Sequence, residues 1–227
     1  MTSEDTGFLY PFIDAEETDA AALLGDLAAS ARAKAVESAA LRRRSLDECG
    51  PVLAAAAAEI ARRFAAGGRM FTFGNGGSST DAATLAGLFA HPPEHPPLPA
   101  WSLTADQAIL TALGNDVGFE LVFARQLIAR GDGGDIAVAV STSGSSADLN
   151  VALREARRQG MYTVGFAGYD GGEFADSPDV DACLVVRSQS VHRIQESQAL
   201  LGHRLWSLVH SHLDRPDVPD AVSEGQS

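Results

Sequence analysis

Five hydroxyls fall within the six residues Ser141-Thr142-Ser143-Gly144-Ser145-Ser146. The buried-type run Asp135–Val140 precedes them and the helical pattern Ala147–Arg158 follows. Hydroxyls donate to anionic oxygens, and glycine lets backbone N–H groups come close. The unpaired N–H groups and the dipole of a helix start favour negative charge. A single serine there would only cap the helix. Five hydroxyls exceed that need and fit a phosphate held without Lys or Arg. A second turn of the same kind, Gly77-Ser78-Ser79-Thr80-Asp81, follows the short apolar run Arg69–Phe73 and opens a helix over Thr80–Ala90. Neither turn is a GxxxxGK[ST] nucleotide loop, because no lysine follows. Gly74-Asn75-Gly76 lacks the last glycine of a dinucleotide turn, which sets aside a cofactor-bearing oxidoreductase.

Both turns need strands to hold them, and the pattern supplies those strands. Further strands are expected at Ala100–Leu103, Tyr162–Phe166 and Ala182–Val186. Helices are expected over 17–47 and Val52–Ala66, with a break at Gly50-Pro51. The first of these ends near Arg42-Arg43-Arg44, cations suited to a helix C-terminus. More helices fall at Asp106–Leu113 and Gly118–Arg130, separated by Gly114-Asn115-Asp116, and at Val191–Leu213. His91–Pro99 holds five prolines and reads as an irregular surface loop. Strand and helix alternate with connections too long for hairpins. The expected fold is α/β: a three-layer, doubly wound parallel sheet flanked by helices, with long N- and C-terminal helices. Such sheets bind ligands beyond the carboxyl ends of their strands, where both turns lie.

A chain of 227 residues suits one such domain over 17–213, with an acidic leader over 1–16 and an acidic tail over 214–227. The formal charge is −13; residues 1–20 contribute −6 and residues 214–227 contribute −3. That balance argues against nucleic acid as a direct partner, while the body, at −4, does not exclude an anionic ligand. Cys49 and Cys183 form no CxxC or Cys/His cluster and read as reduced thiols of a cytoplasmic protein. No apolar run is long enough for a membrane span, and the acidic start is unlike a secretory signal.

Gly74-Asn75-Gly76-Gly77-Ser78, Gly114-Asn115-Asp116, Ser141–Ser146 and Arg193-Ile194-Gln195-Glu196 together resemble the sugar-isomerase (SIS) domain. The likeness runs from about residue 20 to 213 and is strongest to the bacterial phosphoheptose isomerase branch. That branch also includes a non-catalytic protein that binds the replication initiator. The resemblance implies a sugar-phosphate ligand and homotetramers with sites between subunits. It implies that Asn75, Gly76, Gly77 and Ser78 line the pocket, that Asn115 and Asp116 contact the sugar, and that Ser141, Thr142, Ser143 and Ser146 hold the phosphate. Gln195 and His203 match positions that complete the catalytic and metal site in the isomerases. Eight residues apart, they project from one helix face.

The sequence departs from the isomerases at one telling place. Their helix after the first Gly-rich turn carries a His and, four residues later, a Glu. The Glu is the expected base for moving a proton between C1 and C2, and the pair binds zinc in some members. The matching residues here are Thr84 and Leu88. Leu88 exchanges no proton, and aldose–ketose isomerisation needs a base beside the carbon acid. No cofactor is expected, and zinc would have only Gln195 and His203. Asp81 reads as a first-turn dipole partner, His91, Glu94 and His95 as surface-loop residues, and His210 and His212 as the solvent-facing end of the last helix. Two functions stand side by side: an isomerase for sedoheptulose 7-phosphate or a related sugar phosphate, and a sugar-phosphate-binding regulator without turnover that has a protein partner. Thr84 and Leu88 favour the second; Gln195 and His203 favour the first.

Overall fold

A computed structural model describes residues 20–214; the expected acidic leader and all but the first residue of the expected tail lie outside them. The elements run α1 (Ala20–Ala65), β1 (Met70–Gly74), α2 (Gly77–Ala90), β2 (Ala100–Ser102), α3 (Gln107–Asp116), a 3-10 turn (Phe119–Leu121) and α4 (Val122–Arg130). β3 (Ile136–Val140), α5 (Ala147–Arg158), β4 (Tyr162–Gly168), α6 (Gly172–Asp176), β5 (Ala182–Val186) and α7 (Val191–Leu213) follow. Two units divide after Ala40. In the first, the described residues are helical, and Leu23, Leu24, Leu27 and Val36 are exposed. The second, from Leu41 onward, holds the sheet.

The five strands are all parallel, in the order β2-β1-β3-β4-β5. Alternate residues feed two cores, as a sheet covered on both faces requires. Met70, Ile136, Val138 and Val140 pack with Leu53, Ile60, Leu85, Phe89, Leu201 and Leu205 from α1, α2 and α7. Phe71, Phe73, Ala137 and Ala139 pack with Phe123, Leu127, Leu149 and Leu153 from α4 and α5. The chain leaves β1 toward β2 on one side and returns to β3 on the other. The winding therefore reverses between β1 and β3, where a crevice opens at the carboxyl ends. Both Ser/Gly turns emerge there.

The structure corrects four expectations. α1 continues through Gly50-Pro51 instead of breaking. An interior proline costs roughly 3 kcal/mol, but Cys49, Leu53, Ala56, Ala57 and Ile60 around it are buried in the core, and that packing outweighs the local preference. Gly114-Asn115-Asp116 forms the end of α3, not a linker, because the chain breaks only at Gly118, whose φ is +114°. α2 begins at Gly77, so Asp81 lies beyond its first turn. Finally, His210 is only 2% exposed. The Pro-rich loop folds over it: His95 stacks on its ring at 4.2 Å and 17°, with Trp206 and Phe89 alongside. His212, by contrast, is exposed. The α6 turn was not foreseen, and strand limits shift by one or two residues. Among the described residues no helix is long and apolar enough to cross a membrane.

Candidate functional site

The Ser/Thr loop bridges β3 and α5. Ser141 is buried, and its Oγ accepts from the Gly144 N–H at 3.0 Å while lying 3.4 Å from Ser143 Oγ. Ser143 Oγ accepts from the Ser145 N–H at 3.3 Å. Ser145 Oγ accepts from the Glu173 N–H at 3.2 Å, tying the loop to α6. These three hydroxyls shape the loop. Gly144 has φ +67°, and a side chain there would drive into Gly171 O, so only glycine makes the bend. Ser146 is the N-cap of α5 yet makes no capping bond. Among the described residues its hydroxyl and that of Thr142 have no partner, and the first N–H groups of α5 lack a side-chain cap. Two free hydroxyls and an open helix start are donors of the kind that suits an anion.

The two turns are joined. Asn75 Nδ2 donates to both carboxylate oxygens of Asp148, at 3.0 and 2.9 Å. α7 grips the loop from the other side: Gln198 Nε2 donates to Ser141 O at 2.7 Å and is itself buried. Gln195 presses against Gly77 so closely that a β-carbon at 77 would collide with Gln195 Nε2. Gly76 is exposed and turns the chain at φ +53°, whereas Ser78 is buried.

Beside this junction a cavity of about 50 Å³ is walled by Leu85, Leu88, Val140, Phe166 and Gly202, with Asp81, Thr84, Gln198 and His203 on its rim. It has room for a few water molecules or a short polar fragment. An open hollow next to it is lined by Gly77, Thr80, Asp81, His192, Gln195 and Glu196. Asp81 borders both. Burial pushes its carboxyl above the usual range, and its Oδ2 is buried without a hydrogen-bond partner. His203 is exposed and tilts against Trp206 at 5.2 Å.

The structure puts Gly77 and Gln195 on one hollow and His203 on the other, while Asn75, Gly76, Ser141, Thr142, Ser143 and Ser146 lie in the two turns that the Asn75–Asp148 bond joins and line neither hollow. It leaves Asn115 and Asp116 exposed at the end of α3, bonded to each other at 2.7 Å and away from these hollows. Asp148 and Gln198 were missed from sequence. The repeat of Gly-Ser-Ser-x-Asp in the two turns was the signal for Asp148; Gln198 had none. Zinc does not suit the residues present. The Thr84 hydroxyl donates to Thr80 O at 2.9 Å, Leu88 has no donor atom, and Gln195 and His203 open into different hollows. Among the described residues no group of three or more His, Cys, Asp or Glu could hold a metal ion.

Known proteins resemble this arrangement. A family model for the SIS domain matches residues 35–168. A phosphoheptose isomerase from Roseiflexus sp. (strain RS-1) is 43% identical over 171 residues, 74% of this chain and 86% of the relative. One from Solidesulfovibrio magneticus is 44% identical over 179 residues, 78% and 86% of the two chains. The structure of a phosphoheptose isomerase from Francisella tularensis superposes with a TM-score of 0.76 at 30% identity, covering 80% of this chain and 97% of that one. One from Neisseria gonorrhoeae gives 0.75 at 33%, covering 81% and 99%.

Proposed function

We propose that this chain, which belongs to the SIS-domain family and within it to the phosphoheptose isomerases, is an aldose–ketose isomerase acting on sedoheptulose 7-phosphate or a closely related sugar phosphate. One observation carries this: Gln198, which lines the cavity shared by Asp81 and His203, donates to the Ser141 carbonyl at the start of the Ser/Thr loop, so the cavity and the loop adjoin. A phosphate on Thr142, Ser146 and the α5 N–H groups would anchor one end of an extended sugar. The small cavity would then receive the carbonyl end. Isomerisation moves one proton between C1 and C2 and one between their oxygens, so it calls for an acid–base pair and no redox partner. Gln195 is suited to hold a sugar hydroxyl, and His203 to exchange a proton with the carbonyl oxygen.

The proposed reaction uses no cofactor, and we place it in the cytoplasm. The working form we propose is a homotetramer with sites between subunits, where the exposed Asn115 and Asp116 would reach a neighbour's sugar. The test is incubation with sedoheptulose 7-phosphate, followed by NMR, with and without added zinc. The expected result is an aldose phosphate in both. A protein that binds the sugar phosphate and forms none in either is a binding protein without turnover.

A further inference from the structure

The isomerase chemistry needs a base, and Leu88 cannot be one. We propose that Asp81 is the catalytic carboxylate that carries the proton between C1 and C2, taking over from α2 the work that position 88 has lost; this rests on the isomerase function proposed above.

Four features lead to Asp81. It is on α2, one turn before Leu85 and two before Leu88, and lines the same cavity. Among the described residues, Asp81 and His203 are the only ionisable groups lining that cavity, whose other walls are mostly apolar. Asp81 also borders the hollow that holds Gly77 and Gln195, so it sits between the carbonyl end and the rest of the sugar's path. Its Oδ2 is buried and unpaired, whereas Asp148, at the matching place in the other turn, has both oxygens bound by Asn75. A buried carboxylate oxygen without a partner is costly and calls for an explanation, of which a catalytic role is one. Desolvation strengthens Asp81 as a base, the direction a carbon acid demands. Asp81 lies outside the first turn of α2, so helix-dipole pairing does not account for it.

The step balances within the substrate and two side chains. Starting from the ketose, the Asp81 carboxylate takes a proton from C1. The C–H electron pair becomes the C1–C2 double bond, and the C2 carbonyl oxygen takes a proton from His203. The enediol then gives the proton of its C1 hydroxyl to His203 as the C1 carbonyl forms. The double-bond pair takes the proton held by Asp81 at C2. Both side chains end as they began.

Asp81→Asn keeps the shape and removes the base; Asp81→Glu keeps the base on a longer stem. Each is measured beside the wild type for kcat, KM, exchange of substrate C–H for solvent deuterium, and the melting shift caused by sedoheptulose 7-phosphate. Asp81→Asn is expected to lower kcat and exchange by about 100-fold or more, with KM and the melting shift nearly unchanged. Asp81→Glu is expected to recover part of the rate and to move the acid limb of the pH profile. Wild-type turnover that survives in Asp81→Asn overturns the assignment and leaves the isomerase function standing. A wild type that binds but neither turns over nor exchanges overturns both. If Asp81→Asn fails to fold, an Asp81→Glu protein with unaltered kcat and pH profile is the overturning result.

Discussion

Asn75 Nδ2 donates to both carboxylate oxygens of Asp148, at 3.0 and 2.9 Å, and so ties the first strand-to-helix turn to the helix that follows the second. Asp148 is only 5% exposed, so this amide is what keeps its charge bound. The Asn75 side chain, expected to face the ligand, is held in place as a brace between the two halves of the crevice.

Removing that brace leaves a buried carboxylate short of donors. Asn75→Ala is expected to destabilise the fold by about 1–3 kcal/mol and Asn75→Asp, which sets two carboxylates together, by more. Urea melts check this: an Asn75→Ala midpoint equal to the wild type would mean that Asp148 has other support.

The hydroxyls of the Ser/Thr loop divide into two jobs. Ser141, Ser143 and Ser145 build the loop, whereas the Thr142 and Ser146 hydroxyls have no partner among the described residues. Thr142→Val and Ser146→Ala should each weaken sugar-phosphate binding by about 10- to 100-fold, since a hydrogen bond to a charged group contributes about 1.5–3 kcal/mol. Their melting points without ligand should stay near that of the wild type. Ser141→Ala should do the reverse, lowering the melting point. Scanning fluorimetry with and without sedoheptulose 7-phosphate separates the two groups.

His210 sets a pH dependence. Burial, then the neighbouring His95, holds its imidazole below the ordinary value of 6.5, and Asp214 only partly offsets them. The folded state therefore prefers neutral His210, and the unfolded chain binds the proton more readily. Its contribution is complete above about pH 6.5 and is lost as pH falls from there toward the folded value. Stability should decline over that window, and His210→Phe should flatten the decline. Glu59, held down to about 2 by Arg62 and Arg63, acts in a separate window, losing its contribution as pH falls from 4.5 toward about 2. A wild-type curve that does not fall below pH 6.5 would contradict the role given to His210.

Thr84 and Leu88 are four apart on α2, facing the cavity that His203 borders. Thr84→His with Leu88→Glu restores the isomerase pair at i, i+4. The double variant should bind zinc more tightly than the wild type, as measured by competition with a chromogenic chelator. Equal affinity would mean that the cavity wall, not the missing donors, keeps metal out.

The sheet was legible because its strands alternate with helices and its turns are rich in glycine and serine, both local signals. The Ser/Thr loop between β3 and α5 was legible for the same reason. What escaped the sequence depends on packing across the chain. Pro51 stays helical because Leu53, Ala56 and Ile60 around it are buried in the core. His210 is buried because a proline-rich loop, which carries no period, lays His95 upon it. Asp81 read as a dipole partner because the helix was expected to start at Thr80; the three residues gained at its start move Asp81 out of the first turn and leave its unpaired oxygen to be explained.

The most direct measurement is a crystal structure of the protein soaked with sedoheptulose 7-phosphate. The predicted result is phosphate oxygens on Thr142 Oγ1, Ser146 Oγ and the first N–H groups of α5, with C1 and C2 between the Asp81 carboxylate and the His203 ring. A phosphate bound away from the Ser141–Ser146 loop, or a sugar whose C1 and C2 lie beyond reach of both Asp81 and His203, would contradict it.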